Sequence, residues 1–214
     1  MKRFLLLAVL LAAMPAGAAL ADPHAAVLSD SDQAVLSQVQ AYLNGLRTLK
    51  ARFLQIAQDG KTNAGTAWLE RPGRMRFEYD KPSPLLLVAG HGTVIFRDNQ
   101  LDQTTSIPMT QTPLGLLLAN TITLTGPVTV TNFQRAGSRI QVTLVRTATP
   151  GDGSLSLNMT TNPMQLVGWA VVDAEGRETR IQLSSVEQGG NFAESLFDFT
   201  DPDAAPAGAN GNTP

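Results

Sequence analysis

Residues 74–80 have the sequence Arg-Met-Arg-Phe-Glu-Tyr-Asp, in which apolar and charged side chains alternate. Successive side chains of a β-strand point to opposite faces, so Met75, Phe77 and Tyr79 share one face and the charged side chains share the other. The pattern therefore predicts a β-strand with one face against an apolar core and the other face in water.

Similar signals extend in both directions from this strand. Upstream, Ala51 to Ile56 repeat the period of two, and Gly60 begins a polar turn. Downstream, an apolar run at 85–88, a Gly-His-Gly turn at 90–92 and a second run at 93–97 predict a hairpin. Further strands are predicted at residues 101–106, 128–134, 138–146, 154–160, 166–173 and 177–187. Together they predict a large antiparallel sheet with one apolar face.

A helix is predicted before the first strand. Ser31 or Asp32 is placed to cap its amino terminus, and its apolar residues recur at helical spacing. These apolar residues are Leu36, Val39, Leu43 and Leu46. The spacing gives the helix one buried face.

A second segment, residues 112–120, interrupts the predicted strands and is called here the Leu-rich segment. It is too apolar for a surface loop. Pro113 suits the first turn of a short helix, and Leu114, Leu117 and Leu118 then lie on one side of that helix. A short apolar helix beside a sheet with one apolar face is a candidate plug for that face.

The amino terminus has the three-part order of a secretory signal peptide. Lys2 and Arg3 precede an apolar run at residues 4–11, and small residues at 16–21 end at a predicted cleavage site after Ala21. No later stretch of the sequence approaches the roughly 18 to 20 apolar residues of a membrane helix. We therefore predict a cleaved signal peptide at 1–21, a single domain at 22–201 and a disordered tail at 202–214.

Composition narrows the chemistry that is open to the mature chain. Lys2 and Arg3 are two of the 16 basic residues, so 14 remain against 18 acidic residues, and this net charge of about −4 argues against a nucleic-acid partner. The chain has no cysteine, which excludes disulfides, thiolate metal sites and an acylated cysteine of its own.

Catalytic motifs are not found in the sequence. His24 lies near the new amino terminus and His91 in a predicted hairpin turn, so the two histidines form no metal-binding cluster. The G-x-S-x-G nucleophile motif is absent, and Gln55 stands where a phosphate-binding loop would have its first glycine. Glu78 and Asp80 lie on the polar face of a strand, which favours a solvated surface over a catalytic pair. We assign no catalytic residue, no metal site and no cofactor, and we expect a protein that is not an enzyme.

The apolar face of the sheet has two possible uses. It could form an ordinary core against the helices, or it could line a cavity for an apolar ligand, as curved sheets and barrels commonly do. The alternation of side chains does not distinguish these two uses.

Residues 69–79, Leu-Glu-Arg-Pro-Gly-Arg-Met-Arg-Phe-Glu-Tyr, closely resemble the LolA family, the periplasmic lipoprotein carriers of Gram-negative bacteria. Further motifs of that family follow its order over nearly the whole mature chain. They are Leu49-x-Ala51-x-Phe53-x-Gln55, Gly65-x-x-x-Leu69, Leu87-Val88 before a glycine-bearing turn, Gln103-x-Thr105, Thr112-Pro113 before the leucines, and Phe197-x-Phe199. Met75 and Phe77 depart from the family, in which larger aromatic residues are frequent there, and the turn at 90–92 replaces a more usual Asp-Gly turn. These departures bear on the range of ligands more than on the fold.

The resemblance implies a mainly β (α+β) fold, an incomplete, strongly curved antiparallel β-barrel with helices that form a lid over a hydrophobic cavity. It also implies a soluble periplasmic chaperone, which we expect to be a monomer. The implied partners are acylated lipoproteins, the inner-membrane ABC transporter that releases them and an outer-membrane lipoprotein receptor. The receptor branch of this fold is itself acylated, and the lack of cysteine excludes that branch. Binding of another lipid or amphiphile, or of protein alone in a regulatory role, stays open as an alternative.

The resemblance also implies the residues of the site. In that family the arginine matching Arg71 holds the lid by hydrogen bonds to backbone carbonyls, so Arg71 is the expected lid gate; the alternative is a surface charge before a proline turn. Leu114, Leu117 and Leu118 are expected to form the lid helix. The residues expected to line the cavity are Phe53, Leu69, Met75, Phe77, Tyr79, Leu87, Val94 and Phe96.

Overall fold

The structure, a computed structural model, describes residues 24–200. The predicted signal peptide at 1–21 and the predicted tail at 202–214 lie outside the described residues. Among the described residues, no helix combines the length and the hydropathy needed to cross a membrane.

Eleven strands form one antiparallel sheet within the described range, which confirms the predicted antiparallel sheet. The strands are β1 (Thr48–Ala57), β2 (Thr62–Glu70), β3 (Arg74–Tyr79), β4 (Leu85–Gly90), β5 (Thr93–Asp98), β6 (Gln103–Pro108), β7 (Val128–Ala136), β8 (Arg139–Arg146), β9 (Ser154–Thr161), β10 (Met164–Val172) and β11 (Glu178–Gln188). The predicted hairpin is the pair β4 and β5, whose residues Leu87 and Phe96 lie opposite each other.

The sheet is curved and does not close into a barrel. Its strands are ordered β6-β5-β4-β3-β2-β1-β11-β10-β9-β8-β7, so β6 and β7 are its two edges. The first and last strands of the described chain pair in the middle of the sheet, with Phe53 of β1 opposite Leu183 of β11. This incomplete barrel confirms the fold class that the resemblance implied.

The concave face of the sheet carries the core. Along β9, Leu155, Leu157 and Met159 are at most 1% exposed and alternate with half-buried polar residues. Val39 and Leu43 of the first helix belong to the same core cluster and are fully buried. Burial of apolar area at about 25 cal/mol per Å² is the main term that holds helix and sheet together.

The first helix, α1, spans Asp30–Gly45 and begins before both predicted caps. Its N-cap is Ser29, whose Oγ accepts a hydrogen bond from the backbone N–H of Asp32 at 3.2 Å. The prediction of Ser31 or Asp32 was wrong because four consecutive residues, 29–32, are all of the serine or aspartate type that favours this position. The acidic residues Asp30 and Asp32 lie in the first turn, where the helix dipole favours negative charge.

Ser29→Ala should lower the free energy of unfolding by about 1 kcal/mol, because it removes the side-chain acceptor at the start of α1. Ser37→Ala is the matched control, since Ser37 is an exposed serine inside the same helix and alanine is the better helix former. Chemical denaturation measures both variants. Equal free energies of unfolding would contradict the assignment of Ser29 as the cap.

The Leu-rich segment contains a shorter helix than the sequence suggests. A 3-10 turn at Met109–Gln111 leads into α2, which spans only Leu114–Leu117. Leu114, Leu116, Leu117 and Leu118 are all buried, so the segment is apolar on more than the one side that was predicted. These leucines belong to the same core cluster as α1 and the concave face.

The last described residues pack on the opposite, convex face of the sheet. A 3-10 turn at Glu194–Phe197 contacts β3 and β4. Phe197 is 2% exposed, and the guanidinium carbon of Arg74 lies 5.6 Å from its ring centroid. Arg76 donates a hydrogen bond to the carbonyl of Leu196 at 3.3 Å. Because Arg74 and Arg76 belong to the polar face of β3, this end of the chain leaves the concave face to α1 and the Leu-rich segment.

Candidate functional site

Arg71 lies in the turn between β2 and β3 and joins the sheet to two other elements. It is 4% exposed. Its Nε and Nη2 donate to the carbonyl oxygen of Ala119 at 2.9 and 2.6 Å, and Nη2 also donates to the carbonyl of Asn120 at 3.1 Å. Its Nη1 donates to the carbonyls of Leu43 and Leu46, the latter at 3.3 Å. One side chain therefore fastens both the end of α1 and the end of the Leu-rich segment.

Among residues 24–200, the hydrogen bonds of the Arg71 side chain all go to backbone carbonyls. Burial lowers the pKa of the Arg71 guanidinium, and the positive charge of Arg47 lowers it further. The group nevertheless stays charged at any physiological pH, because the pKa of a guanidinium starts above about 12. The negative end of the α1 dipole offsets part of the cost of burying the cation. The hydrogen bonds fix the geometry of the contact. The cost of removing the guanidinium from water lowers the net stability of the contact, so less free energy is needed to break it.

Two further side chains hold the Leu-rich segment or the chain directly after it, and sequence reasoning missed both. Arg146, at the end of β8, donates to the carbonyl of Thr112 at 3.2 Å, so the Leu-rich segment is held at its start as well as at its end. Asn44 of α1 donates to the carbonyl of Ile122 at 2.8 Å and accepts from the N–H of Ile122 at 2.9 Å. A bond from a side chain to a distant backbone group leaves no periodic pattern, so the sequence contains no signal for either residue.

An uncharged cavity of about 190 Å³ lies between the concave face and the Leu-rich segment. It is lined by Gln55, Met75, Phe77, Tyr79, Leu87, Val94, Thr112, Leu114, Trp169, Val171, Thr179 and Ile181. A larger and more open depression of about 490 Å³ borders Leu28, Leu36 and Val128, but it touches none of the residues expected to line a cavity.

Five of the eight residues expected to line a cavity do line this one, namely Met75, Phe77, Tyr79, Leu87 and Val94. Leu114 closes the cavity from the Leu-rich segment. Leu117 and Leu118 are each 1% exposed and pack into the core. Their roles toward a ligand stay a prediction.

The other three expected residues lie outside the cavity. Phe53 is buried beside it, with its ring centroid 4.5 Å from that of Phe77 and 5.1 Å from that of Tyr79. Leu69 is 2% exposed within the core. Phe96 is 36% exposed, because β5 is only one strand away from the open edge at β6.

The far wall of the cavity was not expected from the sequence. It is formed by β10 and β11, and the ring of Trp169 meets that of Phe77 edge to face at a centroid distance of 6.0 Å. The alternation of apolar and polar residues predicted both strands. This pattern shows which face of a strand is buried, but it does not show which other strand that face contacts. The pairing of β1 with β11 brings Trp169 and Ile181 into the site.

The cavity is too small for a lipid in this form of the protein. Pockets for drug-sized ligands occupy about 300–1,000 Å³, whereas this cavity has about 190 Å³. The Leu-rich segment contributes Thr112 and Leu114 to the lining, so its movement away from the sheet would enlarge the space. Since Arg71 bonds the carbonyls of Ala119 and Asn120 at the end of that segment, such a movement requires these hydrogen bonds to break.

Residues 44–200 match the family described as Outer membrane lipoprotein carrier protein LolA. This chain belongs to the LolA family. The match covers the whole sheet, Arg71 and the Leu-rich segment, and it confirms the resemblance found in the sequence.

Named carriers of the LolA family are similar over most of their length. The outer-membrane lipoprotein carrier protein of Methylococcus capsulatus is 28% identical over 183 residues, which cover 81% of this chain and 87% of that protein. The carrier of Dechloromonas aromatica is 30% identical over 182 residues, or 79% of this chain and 85% of that protein. A solved structure of an uncharacterized conserved protein from Thermus thermophilus is similar with a TM-score of 0.45 and 14% identity, covering 82% of this chain and 97% of that chain.

Proposed function

We propose that this chain is a soluble periplasmic carrier that binds the acyl chains of lipoproteins released from the inner membrane and delivers them to an outer-membrane receptor. The observation that carries the proposal is the buried Arg71 contact, which ties the end of α1 to the Leu-rich segment, and that segment covers an uncharged cavity. Membership of the LolA family supports it, and so do the similar proteins that are named lipoprotein carriers. The periplasmic location is supported by the signal peptide predicted at 1–21.

Acyl chains need a carrier to cross an aqueous compartment. Each methylene left in water costs about 0.8 kcal/mol, so several long chains together face a barrier of tens of kcal/mol. A cavity lined by Met75, Phe77 and Trp169 replaces that water with apolar contacts. The proposed carrier needs no catalytic group for this task.

A carrier must also release what it binds. If the whole burial energy of the acyl chains appeared as affinity, the cargo would not leave. The hydrogen bonds of Arg71 and the packing of Leu117 and Leu118 belong to the closed form, so cargo that opens the cavity gives them up. This cost lowers the net affinity for the cargo and permits its transfer to a receptor that binds more tightly.

Loading against this cost requires a source of energy outside the chain. The sequence has no phosphate-binding loop, because Gln55 occupies the place of its first glycine. We therefore assign the driving step to the inner-membrane ABC transporter that the family resemblance implies. The outer-membrane receptor then takes the cargo from the carrier because it binds the cargo more tightly.

A comparison of one lipoprotein in its acylated and deacylated forms tests the proposed function. The mature chain should form a stable soluble complex with the acylated form and none with the deacylated form. Equal binding of both forms would overturn the proposal in favour of a regulatory domain that recognises protein alone. A glycolipid or other amphiphile found by mass spectrometry on the protein purified from its own periplasm, with no lipoprotein, would favour a carrier of that compound.

A further inference from the structure

We propose that Gln55, Tyr79 and Thr179 form a polar subsite at the mouth of the cavity, which accepts the carbonyl oxygen of an ester- or amide-linked acyl chain. The inference rests on the proposed function and adds to it the direction in which the acyl chain lies. It also identifies the chemical group that the carrier recognises beyond hydrocarbon.

The cavity has a buried end and an accessible end. Met75, Phe77 and Trp169 are at most 3% exposed and form the buried end. Gln55 and Thr179 are half-buried and lie on the paired strands β1 and β11, where Gln55 is opposite Ile181 and Thr179 is opposite Ala57. An amphiphile lowers its free energy by placing hydrocarbon at the buried end and its polar group where water remains within reach.

Tyr79 fixes the orientation of the Gln55 amide. The Tyr79 hydroxyl donates to Oε1 of Gln55 at 2.5 Å. Burial raises the pKa of the Tyr79 hydroxyl, so it stays protonated and remains a donor. Since the amide oxygen of Gln55 is occupied by this bond, its two N–H groups are left to donate elsewhere, and among residues 24–200 the Gln55 side chain makes no other hydrogen bond.

The two side-chain N–H groups of Gln55 determine which chemical group of a ligand fits beside them. An N–H donor in apolar surroundings favours an acceptor, and a carbonyl oxygen is the acceptor at the head of an ester- or amide-linked acyl chain. No lining residue of the cavity is charged, so the mouth offers no cation to a phosphate or a free carboxylate, which would be partly removed from water there. The subsite therefore favours a neutral acyl ester or amide over an anionic lipid or a free fatty acid.

The test uses two ligands of matched length, methyl laurate and lauryl methyl ether, in competition with an apolar fluorescent probe. They differ in the carbonyl group alone. The wild-type mature chain should bind the ester more tightly by about three- to tenfold, which is the value of one hydrogen bond. Gln55→Leu should bind the ether as the wild type does and should lose the preference for the ester.

Gln182→Leu is the matched control, because Gln182 is an exposed glutamine on β11, opposite Leu54 rather than in the cavity. It should keep the preference for the ester. Tyr79→Phe gives an independent measurement, since it frees the Gln55 amide to turn and should reduce the preference. An ester-to-ether ratio in Gln55→Leu and Tyr79→Phe equal to that of the wild type would overturn the inference.

The outcomes for the wild type separate the two proposals. Equal binding of the ester and the ether by the wild type would overturn the polar subsite and leave the carrier function standing. Displacement of the probe by neither ligand, together with no binding of acylated lipoprotein, would overturn both.

Discussion

Arg71→Leu is expected to accept lipoprotein but to release it to the outer-membrane receptor at least tenfold more slowly than the wild type. Arg71 donates hydrogen bonds to carbonyls at the end of α1 and at the end of the Leu-rich segment, and on the proposed function these bonds break when the carrier opens. Hydrogen bonds from a charged group contribute about 1.5–3 kcal/mol each, and about 1.4 kcal/mol corresponds to a tenfold change in equilibrium. Without these hydrogen bonds, the closed empty form is less stable relative to the loaded form, so release of the cargo is less favourable.

The rate of transfer from a purified loaded carrier to receptor in liposomes measures this effect. Arg47→Leu is the matched control, because Arg47 is an exposed arginine near Arg71 whose side chain is not among the contacts that fasten these elements. It should transfer cargo at close to the normal rate. Normal transfer by Arg71→Leu would remove Arg71 from the mechanism.

Gly65→Ala should lower the free energy of unfolding by about 3 kcal/mol, the upper end of the usual cost of overpacking, since the site is rigid. A Cβ at Gly65 would overlap the backbone carbonyl of Glu78 on β3 and would lie 2.6 Å from Cε1 of Phe53. The carbonyl belongs to a paired strand and cannot yield, and the Phe53 ring is held against Phe77 and Tyr79. The substitution therefore strains the sheet directly beside the cavity.

Gly45→Ala is the matched glycine substitution for this prediction. Gly45 is the last residue of α1, and a Cβ there would meet no atom within 4 Å. Alanine favours the helix over glycine by about 1 kcal/mol, so this variant should be as stable as the wild type or slightly more stable. Thermal and urea denaturation of both variants distinguish them. A Gly65→Ala variant of wild-type stability would contradict the close packing of Phe53 over β2.

The strands were predictable because burial on one face imposes a period of two. β3 and β9 alternate between buried and less buried residues, and β8 does so as far as Leu144, after which Val145 is buried as well. The bounds of all three strands differ from the predicted ranges by one residue at most. The short helix α2 was harder to define, since four residues, Leu114–Leu117, are too few for a helical period to show. The cap of α1 was missed because local sequence offered several equivalent caps and only the observed hydrogen bond selects Ser29.

The site was predictable only in part, since its contacts join residues far apart in the chain. The family resemblance implied that Arg71 bonds to carbonyls, but alternation could not identify Leu43 and Ala119 as two of the acceptors. The opposite wall at Trp169 depends on the pairing of β1 with β11, which no local pattern encodes. Phe96 has the correct parity for the concave face, yet its place near an open edge leaves it exposed.

Locating the bound acyl chain itself tests the central claim most directly. A lipopeptide whose acyl chain carries a photoreactive diazirine is loaded onto the mature chain and irradiated, and the modified residues are identified by mass spectrometry. We predict attachment to Met75, Phe77 and Trp169 and to the Leu-rich segment. Attachment confined to the convex face, for example at Leu54 or around Phe197, would contradict a cavity that opens beneath the Leu-rich segment.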